Sequence, residues 1–183
     1  FVAYHDRTQR FAKIVAHRRF GKTVGCINDM VRAALTNGRK NPPPRYGYVA
    51  PTYTQAKDIA WGYLKHYSAQ IPGLQISESE LWIEYPNSAR IRLYGADNYD
   101  RMRGLYFDGL TIDEPAMMNP RAWPEVMRPT LSDHNGWATF IGTPNGRDWF
   151  YRIDRDENGG LSPGFFRLTL KASATDIIPP LEL

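Results

Sequence analysis

Ala16-His17-Arg18-Arg19-Phe20-Gly21-Lys22-Thr23 is the stretch on which the fold turns. An apolar run containing Phe11, Ala12, Ile14 and Val15 leads into it, and a segment with Val24, Ile27, Met30, Val31 and Leu35 at helical spacing leads out. Strand, tight loop and helix are the surroundings a phosphate-binding loop requires, because loop amides and a helix N-terminus together form a concave anion site. In that reading Lys22 reaches the outer phosphates of a nucleotide, and the Thr23 hydroxyl holds Mg²⁺. The pattern is G-x-x-x-x-G-K-[ST] with Ala16 at its first position, so the loop must begin in a conformation that tolerates a β-carbon. The competing reading is a surface turn capped by Thr23.

A second stretch answers to the first. Leu110-Thr111-Ile112-Asp113-Glu114 is an apolar strand ending in two acids, and open α/β sheets place their sites at the carboxyl ends of strands. Side chains alternate along a strand, so the acids can take separate roles: Asp113 on Mg²⁺, Glu114 on an attacking water. A third strand, Trp137 to Ile141, runs into Gly142-Thr143-Pro144-Asn145-Gly146, where the Thr143 hydroxyl either senses a γ-phosphate or serves as a turn residue. Upstream, Gln9 either offers its amide to an adenine edge or is simply exposed.

Between these anchors the chain reads as an α/β protein. The helix after the loop stops near Asn37-Gly38, and Tyr46 to Ala50 is a buried strand. Thr52 and Gln55 form a capping box for a helix whose Ala56, Ile59, Ala60, Tyr63, Leu64 and Tyr67 are expected in the core. Leu81, Ile83 and Tyr85, then Ile91 and Leu93, alternate with polar residues around Pro86-Asn87-Ser88 and predict a hairpin. The polar stretch 97–104 is expected to be exposed. Asn119-Pro120 opens a short helix through Met127, and Phe165 to Leu170 is a last strand.

Composition narrows the function. At 183 residues the chain fits one domain with a real core and no disulfides. The single Cys26 cannot form an internal bridge, which points to a reducing cytoplasm, and its helical position favours plain burial. No signal peptide and no apolar run of membrane-spanning length is present, so a membrane role is not expected. Residues 1–67 carry twelve Lys and Arg against three Asp and Glu, whereas the remainder carries eleven against sixteen. That asymmetry suggests a polyanion as partner, with Arg39, Lys40, Arg45, Lys57 and Lys65 lying outside the loop. The four histidines are scattered, which argues against a His/Cys metal site. Opening at Phe1 and closing near Ile178-Pro179-Pro180, the chain reads as a piece of a longer one.

With loop, acidic pair and third strand end together, the chain resembles the ATPase domain of the large terminase subunit of tailed bacteriophages. The family's Arg four residues before the loop Lys matches Arg18, with Arg19 beside it. Its acidic strand matches Leu110 to Glu114, its coupling motif Gly142-Thr143-Pro144, and its Arg-Gly segment Arg103-Gly104. Its adenine-contacting Gln is similar to Gln9, and Ala50-Pro51-Thr52 with Gln55-Ala56 is similar to the segment after its second core strand.

The resemblance implies a RecA-like P-loop fold of the class with a catalytic Glu (ASCE), with a mainly parallel sheet flanked by helices and an inserted β-hairpin. It implies ATP and Mg²⁺ as cofactors, Arg18 and Lys22 on the phosphates, and Thr143 reporting the γ-phosphate. Double-stranded DNA, the portal protein and the small terminase subunit are the implied partners. The implied location is the cytoplasm of the infected host and, transiently, the prohead. In ring motors an Arg from the neighbouring subunit often completes the site, and Arg101 and Arg103 are the candidates, unless they are ordinary surface residues. On this reading residues 1–171 form the ATPase domain. Residues 172–183 are a linker toward an RNase H-type nuclease domain for which this chain has no room. The rival readings are a helicase-like ATPase lacking its second RecA-like half, a binding module with a relic nucleotide site, and a small-molecule kinase.

Overall fold

A computed structural model describes residues 1–17, 19–143 and 146–170. Arg18, Pro144, Asn145 and the stretch 171–183, with the expected linker, lie outside the described residues. Eight strands form one sheet: β1 Phe11–Ala16, β2 Arg45–Ala50, β3 Gln75–Ser77, β4 Trp82–Glu84, β5 Arg90–Gly95, β6 Gly109–Asp113, β7 Trp137–Gly142 and β8 Phe165–Leu170. Their spatial order is β3-β4-β5-β2-β6-β7-β1-β8. From β5 to β8 every pairing is parallel. The loop-bearing β1 and the acidic β6 are therefore not neighbours; β7 runs between them, so all three carboxyl ends meet at one edge of the sheet.

Parallel strands covered on both faces must be apolar on both, and β6 is buried at every residue. One face carries Ala12, Ile14, Tyr48, Ile91, Leu93 and Ile141. The helices α1 (Val2–His5) and α2 (Lys22–Thr36) cover it, along with a helical arm made of α3 (Tyr53–Ala56), a π turn (Lys57–Trp61) and α4 (Gly62–Ser68). On the other face Val49, Leu110, Ile112, Ala138 and Phe140 pack under the turns between Ala96 and Leu131 and under α5 (Trp149–Arg152). On the first face Gly109 lets Trp137 lie over the strand, since a β-carbon on it would lie 2.3 Å from the Trp137 ring.

The expected hairpin is β4 and β5, antiparallel with Trp82 opposite Arg92, and β3 extends it by a short strand. Because β5 also pairs in parallel with β2, the hairpin continues the main sheet. The helical arm departs from expectation. Thr52 Oγ1 does accept from the Gln55 amide, but the π turn places one extra residue in the helical period and rotates the rest of the arm. Ala56, Ala60, Trp61 and Leu64 are buried in consequence, while Ile59, Tyr63 and Tyr67 are exposed.

Ion pairs tie distant segments together and revise the charge reading. Arg7 and Arg32 close on Asp29, Lys13 on Asp154, Arg39 on Asp108 and Lys65 on Glu78. Arg45 donates to the Pro44 and Ser88 carbonyls. Much of the positive charge counted in residues 1–67 is thus paired within the molecule. Arg39 is bonded twice to Asp108, Arg45 is held by backbone carbonyls, and Lys65 forms an exposed pair with Glu78.

Candidate nucleotide site

Strand β1 delivers Ala16 to the sheet edge, and α2 leaves again from Lys22. Ala16 is still part of the strand, which is why a β-carbon is tolerated there. The left-handed conformations fall instead at Arg19 (φ 66°) and Gly21 (φ 83°), the residue immediately before the helix. Lys22 Nζ donates to the carbonyls of Ala16 (2.6 Å) and His17 (3.2 Å), so its ammonium lies inside the loop. His17 packs edge-on to Phe20, and Phe20 against Phe1. A cleft of about 420 Å³ opens beside the loop, with Arg19 to Val24 on one wall and Asp58, Ile59 and Tyr63 on the other. Rotation of the helical arm thus places Ile59 and Tyr63 at this cleft instead of in the core. A larger cleft, about 570 Å³, lies past the end of β5 among Tyr53, Arg92, Tyr94 and Arg101, and it shares no residue with the loop.

Asp113 ends β6 on the α2 side of the sheet and is only 5% exposed. Burial is the main influence on its carboxyl and pushes the pKa up to about 6, with the Glu114 charge adding to the rise. The Tyr48 phenol, which donates to Asp113 Oδ2, and the Lys22 charge act in the opposite direction. Lys22 and Thr23 open α2, and the Lys22 charge acts on Asp113, to which Tyr48 is bonded, so residues of α2, β2 and β6 come together at one edge of the sheet.

The next residue turns away. Glu114 adopts a left-handed conformation (φ 49°), and its amide donates to the Ile141 carbonyl of β7. Its carboxylate accepts from the Thr143 amide (3.2 Å) and lies 3.4 Å from the Thr143 hydroxyl. The two acids are thus separated as alternation requires, and Glu114 is joined to the end of the strand between β1 and β6.

Elsewhere the structure corrects the expected role of Gln9. It precedes β1 at the strand's amino end, roughly 20 Å from the loop at about 3.3 Å per strand residue. The neighbouring Arg10 is fixed there by the Gly136 and Leu131 carbonyls. From the segment before β1, Phe1 is the residue that reaches the loop. Arg18 and Pro144 lie outside the described residues. Arg101 and Arg103 belong to the helical turns 96–102 and their exit and are both exposed; Arg103 pairs with Asp100 (2.7 Å) and faces Glu125 (3.9 Å). Tyr48 was missed in the sequence, where only its place as a polar tip within a buried strand could have marked it.

The donor set suits Mg²⁺, a hard cation that takes a carboxylate and a hydroxyl together with substrate phosphates instead of an all-protein cage. No cluster of three or more His, Cys, Asp or Glu able to hold a metal occurs among the described residues. The side-chain donor to Asp113 is a neutral phenol, which leaves a buried carboxylate suited to a cation.

No protein-family model matches the chain. Among curated proteins, the large terminase subunits of Thermus phage G20c and Thermus virus P23-45 are 40% and 31% identical over 89% of this chain. The chain spans 37% of the length of each of them. The large terminase ATPase domain of Thermus phage P74-26 superposes with a TM-score of 0.74 at 24% identity, covering 99% of this chain and 88% of that one. The large terminase of phage D6E, solved with ADP, superposes with a TM-score of 0.72 at 16% identity, covering 94% of this chain and 43% of that one. By its sequence likeness and its sheet order, the chain belongs with the large terminase subunits of bacteriophages and has the fold of their ATPase domain.

Proposed function

We propose that this chain hydrolyses ATP and that the hydrolysis drives double-stranded DNA into a prohead. The observation that supports the reading is Lys22 inside the loop with its charge acting on Asp113 at the end of β6, and Glu114 beside Thr143 at the same sheet edge. Phosphoryl transfer asks little covalent help of a protein; it asks for charge held in position. Lys22, already inside the loop, moves from the Ala16 and His17 carbonyls to the β/γ-phosphate oxygens, and Arg18 joins it. Thr23 and Asp113 would hold Mg²⁺, which when bound would neutralise charge on the phosphates. Glu114 orients the attacking water and accepts its proton. Thr143, bonded to Glu114, relates the state of the γ-phosphate to the rest of β7.

In the assembled motor, several copies form a ring on the portal protein, the small terminase subunit delivers DNA, and Arg101 or Arg103 enters the neighbouring copy's site. The exposure of both arginines supports that role. Work takes place in the host cytoplasm. Relatives that are terminase subunits favour packaging over strand separation by a helicase.

Single-turnover hydrolysis tests the chemistry. Glu114→Gln is expected to bind ATP normally and to hydrolyse it about 10²–10⁴-fold more slowly, whereas Lys22→Ala loses binding. Near-normal turnover by Glu114→Gln removes it from the role. Mixing Arg101→Ala or Arg103→Ala with Lys22→Ala restores hydrolysis only for an arginine that acts across the interface.

A further inference from the structure

Tyr48 has no task in phosphoryl transfer, yet it is bonded to one of the two residues read as holding the cation. It lies in the middle of β2, paired with Thr111 of β6 and Leu93 of β5, and is 1% exposed. A phenylalanine would fill the same space beside Tyr46 and Ala50 without placing a hydroxyl in the core, where an unmade hydrogen bond is costly. In this chain that hydroxyl is used: it donates to Asp113 Oδ2.

The placement of protons gives the contact a direction. The phenol has a single proton, and it is committed to Asp113 Oδ2. The bond orients the carboxylate and leaves its other oxygen for a cation. Partners of this kind around metal ligands change metal affinity about 10–100-fold when removed.

We infer that Tyr48 is a positioning residue for the divalent cation, orienting the Asp113 carboxylate through its phenol. The inference rests on the reading of Thr23 and Asp113 as the residues that hold Mg²⁺. Mn²⁺, followed by electron paramagnetic resonance, is the probe, titrated into ADP-loaded protein. ADP binding is measured separately in EDTA. Tyr48→Phe and Tyr48→Met, both without the hydroxyl, are each expected to weaken Mn²⁺ about tenfold or more and to leave metal-free ADP affinity within twofold of the parent. Tyr85→Phe is the control: it deletes another buried phenol oxygen, bonded to Ser68 Oγ at 2.8 Å, and is expected to leave Mn²⁺ binding unchanged.

If Thr23→Ala and Asp113→Asn weaken Mn²⁺ while both Tyr48 variants match the parent, the positioning role is overturned and the site reading stands. Should none of the four weaken it, the site reading itself fails. Equal loss of metal-free ADP binding in the Tyr48 variants would mark the phenol as a packing residue and would also overturn the inference.

Discussion

Replacing Asp113 by Asn should make the metal-free, nucleotide-free protein more stable while disabling it. The carboxyl is buried at the end of β6, and burial lifts its pKa from the usual 3.8 to about 6. Each tenfold change in proton affinity corresponds to about 1.4 kcal/mol, so holding the charged form in the fold costs roughly 3 kcal/mol. The sign is set by the folded value lying above the unfolded one. The stability linked to this group is complete below pH 3.8, declines as pH rises, and is gone once pH has passed about 6. Asn has no such titration. Its advantage over the parent should open between about pH 4 and 6 and reach its full size by pH 8, where it corresponds to a rise in melting temperature of about 6–12 °C for a domain of this size. Thermal melts of both proteins from pH 4.5 to 8, in EDTA, measure it. Bound Mg²⁺ reverses the preference, since a cation favours the charged carboxylate; with Mg²⁺ and ADP the parent should gain stability and the variant little. An Asn variant no more stable than the parent at pH 8, or a gain that does not shrink toward pH 4.5, refutes the reasoning.

Other perturbations test the scaffold. Asp29 is buried, which by itself raises its pKa, but the Arg7 charge and bonds from Arg7, Arg32 and His5 pull it below the usual carboxylate value. Its contribution to stability is therefore present above pH 3.8 and lost as pH falls below it. Asp29→Ala, which leaves the 7%-exposed Arg7 side chain unpaired, should cost about 3–5 kcal/mol in urea unfolding at pH 7. Gly109→Ala puts a β-carbon 2.3 Å from the Trp137 ring and should cost about 1–3 kcal/mol, with part recovered in a Gly109→Ala/Trp137→Phe double variant. Cys26 is fully buried, its thiol pKa raised by that burial, so labelling by a disulfide reagent should proceed no faster than unfolding.

The local motifs were legible because their chemistry is local. A strand, a turn with Gly21, and a helix from Lys22 are dictated within about twenty residues, and an apolar strand ending in Asp113-Glu114 is dictated within five. The hairpin showed in the alternation of Ile83 and Tyr85 with Ile91 and Leu93 for the same reason. Gln9 misled because spacing along a chain carries no direction: two residues before β1 means the far end of the strand from the loop. Ile59 and Tyr63 misled because periodicity assumes an unbroken 3.6-residue helix, and the π turn at Lys57–Trp61 rotates the arm toward the nucleotide cleft.

Residue order alone thus determined that this protein has a phosphate loop, an acidic strand and an α/β core, since each is written in neighbours along the chain. Only the packed sheet decided that β7 would separate β1 from β6, that Arg39 would close on Asp108, and that the Tyr48 phenol would meet Asp113. Those two side-chain contacts join residues 69 and 65 positions apart, and no local propensity can specify which buried polar group finds which partner.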